Sequence, residues 1–324
     1  MYAQGGAILR ADLRGVVEEA FNTSELFIGP KVLPPLPVPA KAGQYPVITK
    51  NSGSLLREGN VKRRGPGANY ARDSASYTSD TFTCIEYGAE AIVPDDNASD
   101  VSRFFSLESF ETRRKYRQVQ LAHEKRVAAA VFAPATFNLS TAATAYTAAN
   151  LATFDIGLDI DLAKQEIQSR GENTMDLTVV MSLPVFLRAR ASTRLQNRIR
   201  GTISTDSQLV LDETAMAQAL GVKEVLVGRA TYDTTNENAS ASSLSNIWSN
   251  SYIWIGTVKA AASANDFFSG SVGHTLFWQQ DADIFTVESY RDENIRSTII
   301  RARQYTDEKI VLATAAQLLV TSYA

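Results

Sequence analysis

The stretch from Ser99 to Phe132 limits the fold more than any other part of this sequence. Pro94, Asp95, Asp96 and Asn97 break the chain before it, Ser99 is placed to cap a helix, and Pro134 closes it. A helix of that span is about 50 Å long, well above the ordinary length in a globular protein. Val101, Phe104, Phe105, Thr112, Tyr116, Val119, Ala122 and Ala130 fall near one face at helical spacing. Arg113, Arg114, Arg117, Glu124 and Lys125 fall on the others. One long helix lying along one sheet is the simplest architecture that buries such a stripe.

Two segments before this helix are extended. Gly5 and Gly6 precede a short amphipathic stretch (Ile8, Leu9, Leu13, Val16, Val17, Phe21), and then Pro30, Pro34, Pro35, Pro37 and Pro39 favour extended backbone. Phe27, Ile28, Val32, Leu33, Leu36 and Val38 make this arm apolar. It cannot bury those side chains in itself, so it lies either on its own domain or on another surface. Residues 43–90 read as a long two-stranded excursion. Strand-like segments at Tyr45 to Thr49 and Thr81 to Tyr87 flank a polar, glycine-rich middle that contains Lys62, Arg63 and Arg64. A loop of that length without apolar content is usually functional or disordered.

After a small-residue linker (Ser140 to Asn150) the elements alternate. Leu158 to Ser169 reads as a helix ended by Gly171, and Leu177 to Met181 as an apolar strand. Ser182 then caps a helix with Pro184 in its first turn, and Asp212 to Leu220 is a short helix closed by Gly221. Strands are expected at Lys223 to Tyr232, Ser251 to Val258, Thr275 to Gln279, Ile284 to Tyr290, Arg296 to Tyr305 and Lys309 to Leu312. The apolar tail from Ala315 to Tyr323 should be docked. The class is α+β with a mixed or antiparallel sheet.

A catalytic or metal constellation is not expected. Cys84 is the single cysteine, which rules out an intrachain disulfide and a thiolate zinc cluster. His123 sits beside the apolar stripe and reads as a core histidine. His274 follows Gly270-Ser271-Val272-Gly273, but Ser269 stands where a nucleophile elbow needs glycine, and a strand follows in place of a helix. Gly65-Pro66-Gly67 lacks the setting of a dinucleotide loop. Asp155, Asp159 and Asp161 lack calcium-loop spacing and read as a solvated acidic edge. The formal net charge of -3 confines any contact with nucleic acid to a local patch. Arg188, Arg190, Arg194, Arg198 and Arg200 form the most basic stretch; they contact phosphates or a neighbouring copy, or else form a solvated face.

Residues 173–186 (Asn-Thr-Met-Asp-Leu-Thr-Val-Val-Met-Ser-Leu-Pro-Val-Phe) resemble the strand-then-helix segment of tailed-bacteriophage major capsid proteins. The similarity continues through residues 220–234, Ile247-Trp248, residues 272–278 and Tyr290-Arg291-Asp292, in the same order and at similar separations, over roughly the C-terminal half. The resemblance implies the Hong Kong 97 capsid fold. Residues 1–42 would be the N-arm, 43–90 the E-loop hairpin and about 99–132 the spine helix. Residues 91–160 with 285–312 would form the peripheral domain, and 161–284 with 313–324 the axial domain. The chain would assemble with itself into pentamers and hexamers of a virion shell around packaged double-stranded DNA, with no enzymatic activity, no cofactor and no membrane. DNA would be touched weakly and without sequence preference, a portal protein would share the shell, and a separate scaffolding protein would assist, since the arm begins almost at Met1. Lys62, Arg63 and Arg64 of the hairpin, and Phe27, Leu33 and Leu36 of the arm, would contact other copies. An encapsulin-type nanocompartment and a phage tail or decoration module are the alternatives.

Overall fold

A computed structural model of the chain describes residues 8–9, 26–47, 61, 63–70, 72, 78–101, 106–200, 212–235, 241–263, 266–267, 269–281 and 284–323. Its first elements are β1 (Ile8–Leu9), the single turn α1 (Gly29–Val32) and β2 (Pro35–Val38). The prolines that favour extended backbone put β2 at the edge of a sheet, parallel to β12 (Gly273–Trp278), with Leu36 opposite Leu276. An edge is where Pro35 and Pro37, which have no N–H to donate, are tolerated. Leu33 and Leu36 are wholly buried by the chain's own residues, and Phe27 is half-buried. This corrects the expectation that Leu33 and Leu36 meet another copy: the apolar arm finds its cover on its own body.

β3 (Ala42–Val47) and β4 (Thr78–Thr83) form the antiparallel hairpin, Ala42 opposite Thr83 and Val47 opposite Thr78. The second strand stops earlier than its residues suggest. Beyond Cys84 the chain enters β5 (Ile85–Pro94), which pairs along its length with β14 (Ser297–Ile310) in the body. Ala91 and Val93 alternate inward there while Glu86, Glu90 and Ile92 face out.

Two helices stand where one was expected. α2 (Asp95–Val101) is separate from α3 (Leu107–Val131), and Ser106, not Ser99, caps the long helix by accepting from the Ser109 N–H. Phe104 and Phe105 lie outside the described residues. The 25 residues of α3 span about 38 Å. Thr112, Tyr116, Val119, His123, Val127 and Val131 face inward as a stripe, whereas Ala122 is exposed and Glu124 is buried. α3 lies along β14 and β5. β14 is one strand where two were expected, paired on one edge with β5 and on the other with β13 (Thr286–Asp292) and then β12. The polar run that suggested a break, Thr306-Asp307-Glu308, stays in the strand because those side chains have partners elsewhere: Asp307 accepts from the Thr83 N–H, and Glu308 from Arg126.

The rest of the chain builds a second sheet. Its elements are β6 (Asn138–Thr141), α4 (Ile156–Ser169), β7 (Leu177–Ser182), α5 (Leu183–Arg190), α6 (Thr193–Arg200), α7 (Glu213–Leu220), β8 (Glu224–Gly228), the β9 (Thr231–Asp233) and β10 (Leu244–Asn246) hairpin, β11 (Tyr252–Thr257) and β15 (Ala316–Val320). The strands run β6-β15-β11-β7-β8, so the apolar tail is docked as a strand between β6 and β11. Asp212 caps α7 through the Ala215 N–H, and Gly221 ends it with φ 59°, as their residue types predict. β7 is buried on both faces. Leu177, Val179 and Met181 meet α4, α5 and α7, while Val180, with Trp254 and Leu318, meets Val127, Val131 and Leu33. The second sheet thus packs its other face on the end of α3.

Gly228 closes that contact. A Cβ there would lie 2.2 Å from Trp248 Cδ1, inside a fully buried ring. Gly228→Ala should lower stability by about 2 kcal/mol, seen as a lower urea midpoint at unchanged slope; an unchanged midpoint would show that Trp248 can move aside.

Candidate functional site

The hairpin is fixed at its root, and its described residues beyond the root are exposed. Tyr45 of β3 stacks on Phe267 with ring centroids 4.8 Å apart and planes within 8°, and Phe82 of β4 tilts against the same ring at 6.1 Å. Leu36, Cys84 and Leu276 complete this apolar cluster. Tyr45 Oη donates to Asp80 Oδ2 at 2.9 Å; burial and that carboxylate hold the phenol above its ordinary range. The Thr83 N–H donates to Asp307 Oδ2 at 2.9 Å, and the Cys84 N–H to the Lys41 carbonyl at 2.8 Å. Every described residue of 61–72 is exposed, Val61 by 77% and Tyr70 by 72%. Arg63 and Arg64 belong to this stretch, with the Arg64 guanidinium 4.8 Å over the Tyr70 ring. Lys62 lies outside the described residues.

The helix carries the junction between the two sheets. Glu124 accepts from the Ile28 N–H at 3.0 Å, the Gly29 N–H at 2.7 Å and Trp248 Nε1 at 2.7 Å. Burial pushes its carboxyl up from the usual range, against the pull of those three donors. Residue 29 must be glycine, since a Cβ would lie 2.6 Å from Glu124 Oε2. A charge on a helix suggests a solvated face, which is why Glu124 escapes a composition-based reading. The readable signal is that Val127, Ala128 and Val131, at three, four and seven residues on, are all apolar.

His123 is 2% exposed, and burial, with Arg126 nearby, pushes its pKa down to about 3. Glu308 stands 3.6 Å from Nε2, beyond hydrogen-bond length, and is engaged by Arg126 at 3.2 Å, so it does not hold a proton on the imidazole. A histidine neutral in the fold takes up its proton only on unfolding, so its contribution is present above pH 6.5 and is lost as the pH falls towards 3. His123→Gln should flatten the loss of stability between those values, as read by urea midpoints across pH; an equally steep loss would assign it to other groups.

The arginine series is largely engaged within the chain. Arg188 Nη1 donates to the Tyr146 carbonyl at 3.0 Å, and its guanidinium lies 4.4 Å over the Tyr323 ring. Arg194 stands 3.9 Å from Asp155 and Arg198 2.8 Å from Asp161. Arg190 is half-buried, and the Arg200 side chain lies outside the described residues. The three aspartates are not one solvated edge. Asp155 caps α4 through the Leu158 N–H, and Asp159 is buried against Tyr146 Oη at 2.9 Å and the Ala143 N–H.

His274 is fully buried; Nδ1 donates to the Pro34 carbonyl and Nε2 accepts from the Ser269 hydroxyl at 2.9 Å, which ties the loop to the arm. Ser271 is 2% exposed, donates to the Gly273 carbonyl, and a strand follows, so it is not presented as a nucleophile. Among the described residues no group of three His, Cys, Asp or Glu could hold a metal ion, and no helix is long and apolar enough to cross a membrane.

No protein-family model matches the chain, and no curated protein does. Solved structures match it over nearly its whole length. A phage-related protein from Bordetella bronchiseptica RB50 is 21% identical over 98% of this chain and 99% of that one, with a TM-score of 0.69. The virus-like particle from Pyrococcus furiosus is 9% identical over 95% and 97%, with a TM-score of 0.55. The capsid of the cyanophage P-SCSP1u is 11% identical over 90% and 86%, also at 0.55. A hairpin rooted beside a long helix on one sheet, with a second sheet packed on the helix's end, is the fold of phage capsid proteins, and this chain has it.

Proposed function

We propose that the chain is a major capsid protein, a non-enzymatic subunit that assembles into pentamers and hexamers of an icosahedral shell around packaged double-stranded DNA. The observation that carries this reading is the fold shared over 90% of this chain with a phage capsid, in a chain whose hairpin is rooted in the body and whose described residues of 61–72 are all exposed. In this reading residues 43–90 are the E-loop in function, although β5 belongs to the body. The first sheet with α3 is the peripheral domain, and the second sheet with β15 the axial domain. A closed shell of identical subunits needs one patch to meet a different patch on the next copy. The hairpin supplies the first patch, and Lys62, Arg63 and Arg64 pair with acidic groups on an adjacent subunit. The arm at residues 27–38, already covered by its own body, serves to stiffen the subunit and not to bridge copies. A scaffolding protein and a portal protein are the expected partners, and the assembled virion the site of action.

Electron microscopy of the purified chain, alone and with its scaffolding partner, tests the reading. Closed shells of uniform diameter are expected. A monomer in both conditions at high concentration would overturn it. Shells purified from the native source that hold protein and no nucleic acid would favour a cellular compartment.

A further inference from the structure

The outward face of α3 is basic. Arg113, Arg114 and Arg117 are exposed there, on the side turned away from β14 and β5, with Gln118 and Lys125 continuing the face. The three guanidinium groups arise from about 6 Å of helix axis. Glu111 lies 2.7 Å from Arg114, but an ion pair between neighbouring turns at the surface is worth only about 0.3–0.5 kcal/mol and exchanges readily with another anion. In a chain of net charge -3, this is a concentration of cations against the overall balance.

We propose that this face of α3 is where the subunit meets the phosphate backbone of the enclosed nucleic acid. The proposal rests on the capsid reading and supplies the local patch that the net charge requires. Cations clustered along one helix are the electrostatic footprint of a nucleic-acid contact. Duplex DNA offers one negative charge per about 1.7 Å of axis, so a short row of arginines finds phosphates in any register. No base-reading geometry is needed, and the contact has no sequence preference. A rigid, capped helix packed on a sheet holds the row without ordering a loop on binding. Of the other basic run, Arg188 is held on the Tyr146 carbonyl and the Tyr323 ring, while Arg194 and Arg198 form surface pairs with Asp155 and Asp161 of the same weak kind as Arg114–Glu111, which is why they serve as the comparison in the test.

The test compares the full-length subunit with Arg113→Gln/Arg114→Gln/Arg117→Gln and with Arg194→Gln/Arg198→Gln, using a labelled duplex of random sequence titrated across salt. The first variant should bind about tenfold or more weakly at low salt, and the slope of log affinity against log salt should be shallower by about 2 to 3. The second should bind like the parent. Thermal melting of both variants controls for folding. An unchanged slope in the first variant overturns the proposal, as does a loss confined to the second. Failure of the first variant to form shells with duplex binding unchanged also overturns it and makes the face a contact between copies. A parent chain that never forms shells sinks the capsid reading, whatever the duplex result.

Discussion

Glu124→Ala should destabilise the folded subunit by about 3 kcal/mol or more, since it leaves three buried donors without an acceptor at about 1 kcal/mol or more each. Three donors lose their acceptor together: the Ile28 and Gly29 N–H groups and Trp248 Nε1. Each unsatisfied buried donor costs about 1–3 kcal/mol, and water can reach a fully buried indole only if the junction opens. Glu124→Gln discriminates this account from simple loss of volume. Its carbonyl can still serve Ile28 and Trp248, while its amide turns a donor towards the Gly29 N–H, so about 1–3 kcal/mol should be lost. Trp248→Phe keeps a ring against Phe132, whose centroid lies 5.2 Å away, and removes one donor; about 1 kcal/mol of its loss belongs to the hydrogen bond. Urea denaturation of the three variants gives the order Ala, then Gln, with the Trp248 change coupled to both. If Glu124→Ala and Glu124→Gln lose the same small amount, the carboxylate is not the tie between the sheets. Because Glu124 holds α1 and the chain before β11 on one helix, the Ala variant should also lose cooperativity, with the second sheet melting apart from the first.

How much of this was legible in the sequence depends on how far a signal reaches. The α7 cap at Asp212 and Gly221, the β7 strand and the docked β15 tail are local patterns, and each stands where its residues put it. The end of the hairpin at Thr83 and the continuity of β14 rest on the Thr83–Asp307 and Arg126–Glu308 contacts, which join residues about two hundred positions apart. No window along the chain contains both partners. Leu33 and Leu36 show the same limit in another form. Apolar residues in an extended, proline-rich stretch need shelter, and that much is readable; whether the shelter is the chain's own β12 or a neighbour is decided by β2 pairing across more than two hundred residues. Asp159 and Glu124 were placed in solvent because carboxylates are rarely buried unless paired, and their partners Tyr146, Trp248 and the backbone donors are invisible to charge patterning. The exposed hairpin residues Arg63 and Arg64 were the easiest to foresee, since a polar, glycine-rich segment has nothing with which to build a core.

Replacing residues 48–77 by Asn-Gly should leave the subunit folded and abolish shell formation. Val47 and Thr78 are Cα partners at the end of the β3–β4 ladder, so a two-residue link closes the strands as an ordinary hairpin without moving the root. The Tyr45–Phe267 stack, the Tyr45–Asp80 hydrogen bond and the Thr83–Asp307 contact all lie on the body side of the cut. Among the described residues of the excised stretch, 61, 63–70 and 72, none belongs to an apolar cluster of the fold. The urea midpoint should therefore stay close to the parent's, within about 0.5 kcal/mol of stability. Assembly is a different matter. A shell holds only if each copy offers its neighbour enough area, about 1,200–2,000 Å² in a stable interface, and every described residue of the excised segment is exposed and free to contribute to it. Sedimentation velocity and electron microscopy of the shortened chain should show free subunits or small rings in conditions where the parent closes. Normal particles from it would mean that the bodies alone supply the contact and that the hairpin is ornamental. A chain that unfolds would instead place those residues inside the fold. Charge reversal at Arg63 and Arg64 separates the two parts of the idea: if the guanidinium groups steer the arm onto an acidic neighbour, Arg63→Glu/Arg64→Glu should slow assembly most at low salt and less as salt screens the charges, while a deletion phenotype that ignores salt points to the area of the arm.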